Sequence, residues 1–143
     1  MANDFLTTVR PAFAFLSQGR GYHVVHEEVS SSFDNGSLIY ESSGLRIHVT
    51  RDRGQVSFDV RASGGFRDYD EEILRLLLAG SKHYARPGSP PDFAVATSAT
   101  FLRERLSEIE HLFEPSLVEE TSRKGEGLKN ERADVLFGKA SRA

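Results

Sequence analysis

At 143 residues, 38% hydrophobic and 27% charged, the chain is long enough to build one domain around its own core without a metal or disulfide staple. It has no cysteine, which excludes thiol catalysis, thiolate metal sites and disulfide frameworks and agrees with a reducing compartment. The net charge of -3 divides into an acidic 66–120, with 11 acids against 6 bases, and a basic 121–143, with 6 bases against 3 acids. A general nucleic-acid binder would carry its basic footprint on the folded part, so DNA or RNA is not the expected partner.

The first residues, Met1 to Phe5, lack the basic region and apolar core of a secretory signal. No apolar run further on approaches the roughly 20 residues that cross a bilayer, so a cytoplasmic protein with no membrane contact is expected. Phe5, Val9, Phe13 and Leu16 follow at spacings of four, four and three, the apolar stripe of a helix that should pack on a sheet. Pro11 is tolerated in a first turn, which makes Thr7 or Thr8 the candidate N-cap of a short helix to about Ser17; a kink is the alternative. Gly19 and Gly21 end it. Gly19-Arg20-Gly21 leads from helix to strand, the reverse of the order that a phosphate-cradling loop requires.

Residues 22–61 read as a four-stranded antiparallel meander, punctuated by Asp34-Asn35-Gly36, Ser42-Ser43-Gly44 and Arg51-Asp52-Arg53-Gly54. Along 45–50 and 55–61, Leu45, Ile47, Val49, Val56, Phe58 and Val60 alternate with Arg46, His48, Thr50, Ser57, Asp59 and Arg61, so each strand has one buried face. The apolar pattern selects an even connection of two or four residues; one that pairs Val49 with Val56 also pairs Ile47 with Phe58, Leu45 with Val60 and, on the wet side, Arg46 with Asp59. A two-residue turn at Asn35-Gly36 would set Phe33 against Leu38, and one at Ser43-Gly44 would set Tyr40 against Ile47. In 22–33 the parity changes between Val24 and Val25, which predicts a bulge or a bent strand.

Helices should cover the apolar sheet face. Asp68 or Asp70 can cap a helix Glu71 to Ala79, buried on most sides and stopped by Gly80. The Pro-rich 81–92 is a loop, Asp92 is a further cap candidate, and a helix over 97–113 carries the stripe Leu102, Leu106, Ile109 and Phe113 up to Pro115. Residues 116–143 show no sustained periodicity. The organisation expected is a single α+β domain over 1–120, with two or three helices packed on one sheet face, and a basic, partly mobile tail over 121–143.

His23 and His26 with Glu27 and Glu28 resemble a metal-ligand cluster, yet positions three apart on a regular strand point to opposite faces, so no metal or other cofactor is expected. Ser30, Ser31 and Ser32 have neither a nucleophile elbow nor an oxyanion loop around them. His48 belongs to the outer sheet face, and His83 and His111 are isolated. Two surfaces remain as candidates for binding: the outer sheet face of Arg46, His48, Thr50, Ser57, Asp59 and Arg61, and an acidic one of Asp68, Asp70, Glu71, Glu72, Glu104, Glu108 and Glu110, suited to a basic partner.

The order of a leading aromatic helix (Val9 to Leu16), Gly21-Tyr22 at a strand start, Tyr40 to Ser42, the strand Leu45 to Thr50 with its Arg51 to Gly54 turn, and an acid-capped Leu-rich helix resembles small bacterial proteins, some of which are similar to the immunity proteins of toxin systems. The resemblance covers about 9–79, through structural rather than chemical motifs, and implies a non-enzymatic binder that blocks a cognate toxin. The alternatives are a homodimer of the secretion-chaperone kind, or a hydrolase or ligand-binding protein using His23, His26 or His48.

Overall fold

Strands whose side chains alternate between apolar and polar need a cover on one face only, and this chain is built that way. The computed structural model describes residues 8–30, 35–52, 55–65, 67–79 and 95–137. Helix α1 (Arg10–Phe13) runs into a 3-10 turn (Ala14–Leu16) and is followed by strands β1 (His23–Val29), β2 (Gly36–Glu41), β3 (Leu45–Asp52), β4 (Gln55–Ala62) and β5 (Tyr69–Asp70). Helices α2 (Glu71–Ala79), α3 (Val95–Leu112) and α4 (Val118–Phe137) complete the described chain. The strands form one antiparallel sheet in the order β1-β2-β3-β4-β5, so the α+β class holds, with a fifth short strand where four were expected. No helix among the described residues is long and apolar enough to cross a membrane.

Leu38, Tyr40, Leu45, Ile47, Val49, Val56, Phe58, Val60 and Tyr69 are buried together with Val9, Phe13, Leu16, Ile73, Leu74, Leu102, Leu106 and Ile109. Phe58 lies at the meeting point of sheet and helices, edge-on to Phe13 and stacked on Phe101, with both ring centroids 6.4 Å away. Pro11 sits in the first turn of α1, as its missing N–H requires, but the N-cap position is Val9, which makes no side-chain cap, rather than Thr8. Gly19 and Gly21 have φ of 123° and 81°, which lets the chain turn out of the helix into β1. Arg20 and Tyr22 tie that turn to α3: Arg20 Nη2 donates to Ser107 Oγ (3.0 Å) and the Tyr22 hydroxyl to Glu110 Oε2 (2.8 Å).

The registers correct the sequence reading in two places and support it in two. Tyr40 pairs with Ile47 as expected of a Ser43-Gly44 turn, and the ladder of β1 on β2 shifts between Val24 and His26, the predicted bulge. Val49, however, pairs with Phe58, Ile47 with Val60, Leu45 with Ala62 and Arg46 with Arg61, two residues from the expected pairing. Asp52 pairs with Gln55, so the connection is the two-residue one of the two even lengths expected, and the ladder gains one more repeat. A shift of two keeps every side chain on its own face, which is why Arg46 and Asp59 still share the outer side. The two-residue turn at Asn35-Gly36 is not formed: Gly36 belongs to β2 opposite Val29, Leu38 faces Glu27, and Ser30 N–H donates to the Asn35 carbonyl (2.8 Å) across a longer connection. Phe5, Thr7, Ser31, Ser32, Phe33, Gly80, His83, Asp92 and the Pro-rich 81–92 lie outside the described residues.

Asp70 is the cap of α2, its Oδ1 accepting from Ile73 N–H at 3.0 Å. Beyond Pro115, where the sequence pattern gives no sign of a helix, α4 runs through Phe137 and lies along α2. It clasps β5: Tyr69 donates to the Ser122 carbonyl (3.4 Å), Lys129 Nζ lies 4.3 Å from the centre of the Tyr69 ring, and Arg67 and Arg132 pair with Glu126 (2.9 Å) and Asp70 (2.8 Å). Gly125 makes this approach possible, because a Cβ there would stand 2.5 Å from Tyr69 Cε1, whereas one at Gly127 would meet nothing within 4 Å. Gly125→Ala is therefore expected to cost about 1–3 kcal/mol through overpacking, and Gly127→Ala to add about 0.5–1 kcal/mol through helix propensity. Urea midpoints of the two variants against the parent check this; movement in the same direction would refute the docking of α4 on Tyr69.

Candidate functional site

Directly opposed residues share a face of an antiparallel pair, so the registers lay out the uncovered side of the sheet as rows. One row runs His26, Ile39, His48, Asp59, Asp70 across all five strands; one flanking row is His23, Glu41, Arg46, Arg61 and the other Glu28, Ser37, Thr50, Ser57. All six residues expected on the outer face, Arg46, His48, Thr50, Ser57, Asp59 and Arg61, are brought together there. The bulge overturns one expectation: His23 and His26, which a regular strand would place on opposite faces, both face outward, because the extra residue at Val25 resets the parity. Glu27 is turned to the helix side, where it pairs with Arg10 of α1 at 3.0 Å.

The face is polar and largely self-neutralised. Arg46 Nε and Nη2 donate to Glu41 Oε2 (3.0 and 2.8 Å), Arg61 forks onto both oxygens of Asp68 (2.9 Å each), and Thr50 Oγ1 lies 3.3 Å from His48 Nε2. Arg46 and Arg61, opposed across the strands, wall a shallow cleft of about 200 Å3 with Glu41 and the Ala62 to Gly65 turn. The Asp68 carboxyl is held below the usual carboxylate range by the Arg61 guanidinium. Asp59 moves the other way: burial, then the Asp70 and Asp68 carboxylates, push it above its ordinary value, while His48 opposite offsets part of the shift.

The histidines do not converge. His26 and His48 stand two strands apart, about 10 Å at sheet spacing, with Ile39 between them. Among the described residues no group of three or more His, Asp or Glu is placed to hold a metal ion. His111 is at a helix end, 3.2 Å from Glu114.

The acidic residues are dispersed and mostly engaged within the chain. Asp68 belongs to Arg61, Asp70 to Ile73 and Arg132, and Glu72 to Arg132 (3.1 Å). Glu71 is buried against Arg75, whose guanidinium covers the Phe101 ring at 4.1 Å. Glu110 holds Tyr22 and Arg20, Glu108 pairs with Arg105 (3.0 Å), and Glu104 is exposed on α3. Residues that sequence reasoning passed over are Glu41, which the expected Tyr40–Ile47 register already sets opposite Arg46, and Arg132, for which the aperiodic tail gives no signal.

Compared with known proteins, the chain matches no family model, no curated protein and no solved structure.

A carboxyl whose proton is held more tightly in the folded state destabilises the fold once ionised, so the Asp59 contribution is lost as pH rises through its raised folded value. Asp59→Asn should therefore raise the melting temperature at pH 7, with the gain shrinking as pH falls toward the ordinary carboxyl value of 3.8. Melting curves of parent and variant between pH 3.5 and 8, roughly the titration range of a carboxyl, test this. A variant less stable than the parent at pH 7 would contradict it.

Proposed function

We propose that the chain is a non-enzymatic protein-binding module that presents the outer face of its sheet to a partner. One observation carries this reading: among the described residues α1, α2 and α3 pack on the apolar side of the sheet and α4 reaches the outer side only at the β5 end, through Arg132 on Asp70, so the polar face of the sheet presents cationic, anionic and neutral hydrogen-bonding side chains interleaved on it. Such a surface selects a partner by matching charge and hydrogen bonds position by position rather than by apolar burial. The acidic helix residues offer less, because Glu71, Glu72 and Glu110 are occupied with partners on or beneath the helices.

In its most concrete form the module is an inhibitor of the immunity type, which occludes a cognate toxin and works in the cytoplasm where that toxin would act. The resemblance of residues 9–79 to such proteins supports this form, as does the separation of the histidines. The test is capture of the partner on the immobilised chain, followed by titration with two sets of variants. Thr50→Arg with Ser57→Arg, adjacent in the β3–β4 pairing, should weaken binding about tenfold or more, and Glu104→Gln with Glu108→Gln on α3 should change it less than about twofold. A partner whose affinity follows the α3 pair instead would move the interface off the sheet, and a chain that retains no protein would end the reading.

A further inference from the structure

The two ends of the sheet are treated differently. β5 is two residues long and clasped by α4, while β1 is seven residues long, all of them exposed, and among the described residues no strand pairs with its outer side. Val24, Val25 and Val29 on it are 41%, 52% and 37% exposed. The unused backbone groups can be assigned. Ser30 N–H bonds to the Asn35 carbonyl, and hydrogen-bonded residues alternate along an antiparallel ladder, so His26 and Glu28 turn their groups toward β2 while Glu27 and Val29 turn theirs outward.

We infer that β1 pairs antiparallel with β1 of a second copy of this chain, about a two-fold axis through Glu27, to give one continuous ten-stranded sheet. The side chains select this register. With Glu27 on the axis, His26 lies opposite Glu28 of the second copy, and Glu28 opposite its His26, so each imidazole donor meets a carboxylate on the outer face. Val29 lies beside Val25 of the second copy. The two Glu27 carboxylates meet on the helix side, but each is already paired with its own Arg10 at 3.0 Å, which gives an alternating Arg-Glu-Glu-Arg row instead of a bare repulsion. An axis through Glu28 would set Glu28 against Glu28, and one through His26 would set imidazole against imidazole and both glutamates against Val24 and Val25.

An inward-facing charge and a bulge are the usual means of blunting a sheet edge. Here Arg10 cancels the charge, and the bulge at Val25 limits the pairing to the short run around Glu27. The two-fold contact uses the β1 edge of both copies at once, so the assembly closes at two instead of growing through this edge. This inference stands apart from partner binding by the outer face, since it concerns the edge alone.

The natural absence of cysteine makes the test clean. Residues on the axis approach to about 5.5 Å between Cα atoms, within disulfide reach, whereas Glu28 and its symmetry mate are too far apart. Under mild oxidation by glutathione disulfide, Glu27→Cys should form a covalent dimer at least about tenfold faster than Glu28→Cys or Thr100→Cys, whose thiols meet only by collision. Light scattering of the unmodified chain over a range of concentrations should pass from one-chain to two-chain mass. Glu27→Pro, which removes an outward N–H and leaves the β1–β2 ladder intact, should raise the dimer dissociation constant by about tenfold or more while circular dichroism stays unchanged. If that variant does not fold, the cross-linking rates and the mass of the unmodified chain still decide. A one-chain mass at all concentrations, open-ended growth, or equal cross-linking of the three cysteine variants would each overturn the pairing.

Discussion

The structure depends on a single constraint: one face of the β2–β4 ladder is apolar at every second residue and must be kept dry. Leu38, Tyr40, Leu45, Ile47, Val49, Val56, Phe58 and Val60 cannot all be shielded by strands, so the chain spends α1, α2 and α3 on them. Phe58, touching Phe13 on one side and Phe101 on the other, is where the cover from both ends of the sequence meets. Burying aromatic and branched side chains of this size is the dominant favourable term in a domain of this length. With α1, α2 and α3 committed to that side, the other side is left to polar side chains among the described residues, α4 reaching it only at the β5 end, and the functional reading follows from that allocation.

On the bare side, charge is distributed by register. The cross-strand neighbours of Arg46 and Arg61 are each other, an arrangement that would be unfavourable alone, and Glu41 and Asp68 relieve it from the two flanks. Asp59 has only partial relief, from His48 and Lys129, and its carboxyl stays pushed upward by burial and by the Asp70 and Asp68 carboxylates. Asp68, held low by Arg61, and Asp59, pushed up by burial and its carboxylate neighbours, are thus shifted in opposite directions on one side of the sheet, which makes the face uneven in a way that composition alone hides.

Much of this was legible in the sequence because alternation is a strong signal. The six inward positions of β3 and β4, the Tyr40–Ile47 pairing, the irregularity near Val25, Asp70 as one of two cap candidates and α2 over Glu71–Ala79 are all readable. What failed did so for physical reasons. The β3–β4 pairing lies two residues from Val49–Val56 because parity cannot distinguish registers that differ by a full repeat. The histidines share a face, against the alternation of a regular strand, because one inserted residue inverts the phase of everything before it. α4 was invisible because its contacts are tertiary: Gly125, Lys129 and Arg132 each meet β5 or α2, and none belongs to an apolar stripe. A helix held by a glycine notch and a few ion pairs leaves almost no periodic trace.

The clasp of α4 on β5 also has a temporal side. Sheet and clasp are far apart in the chain, and the helix emerges from the ribosome last of all the described elements. At roughly 5–20 residues per second, the interval between Asp70 and Phe137 is on the order of several seconds, during which a nascent sheet has both of its margins bare. A short terminal strand is a modest template for unwanted contacts, and the brevity of β5 serves the molecule in that interval, before the helix that will secure it has been made.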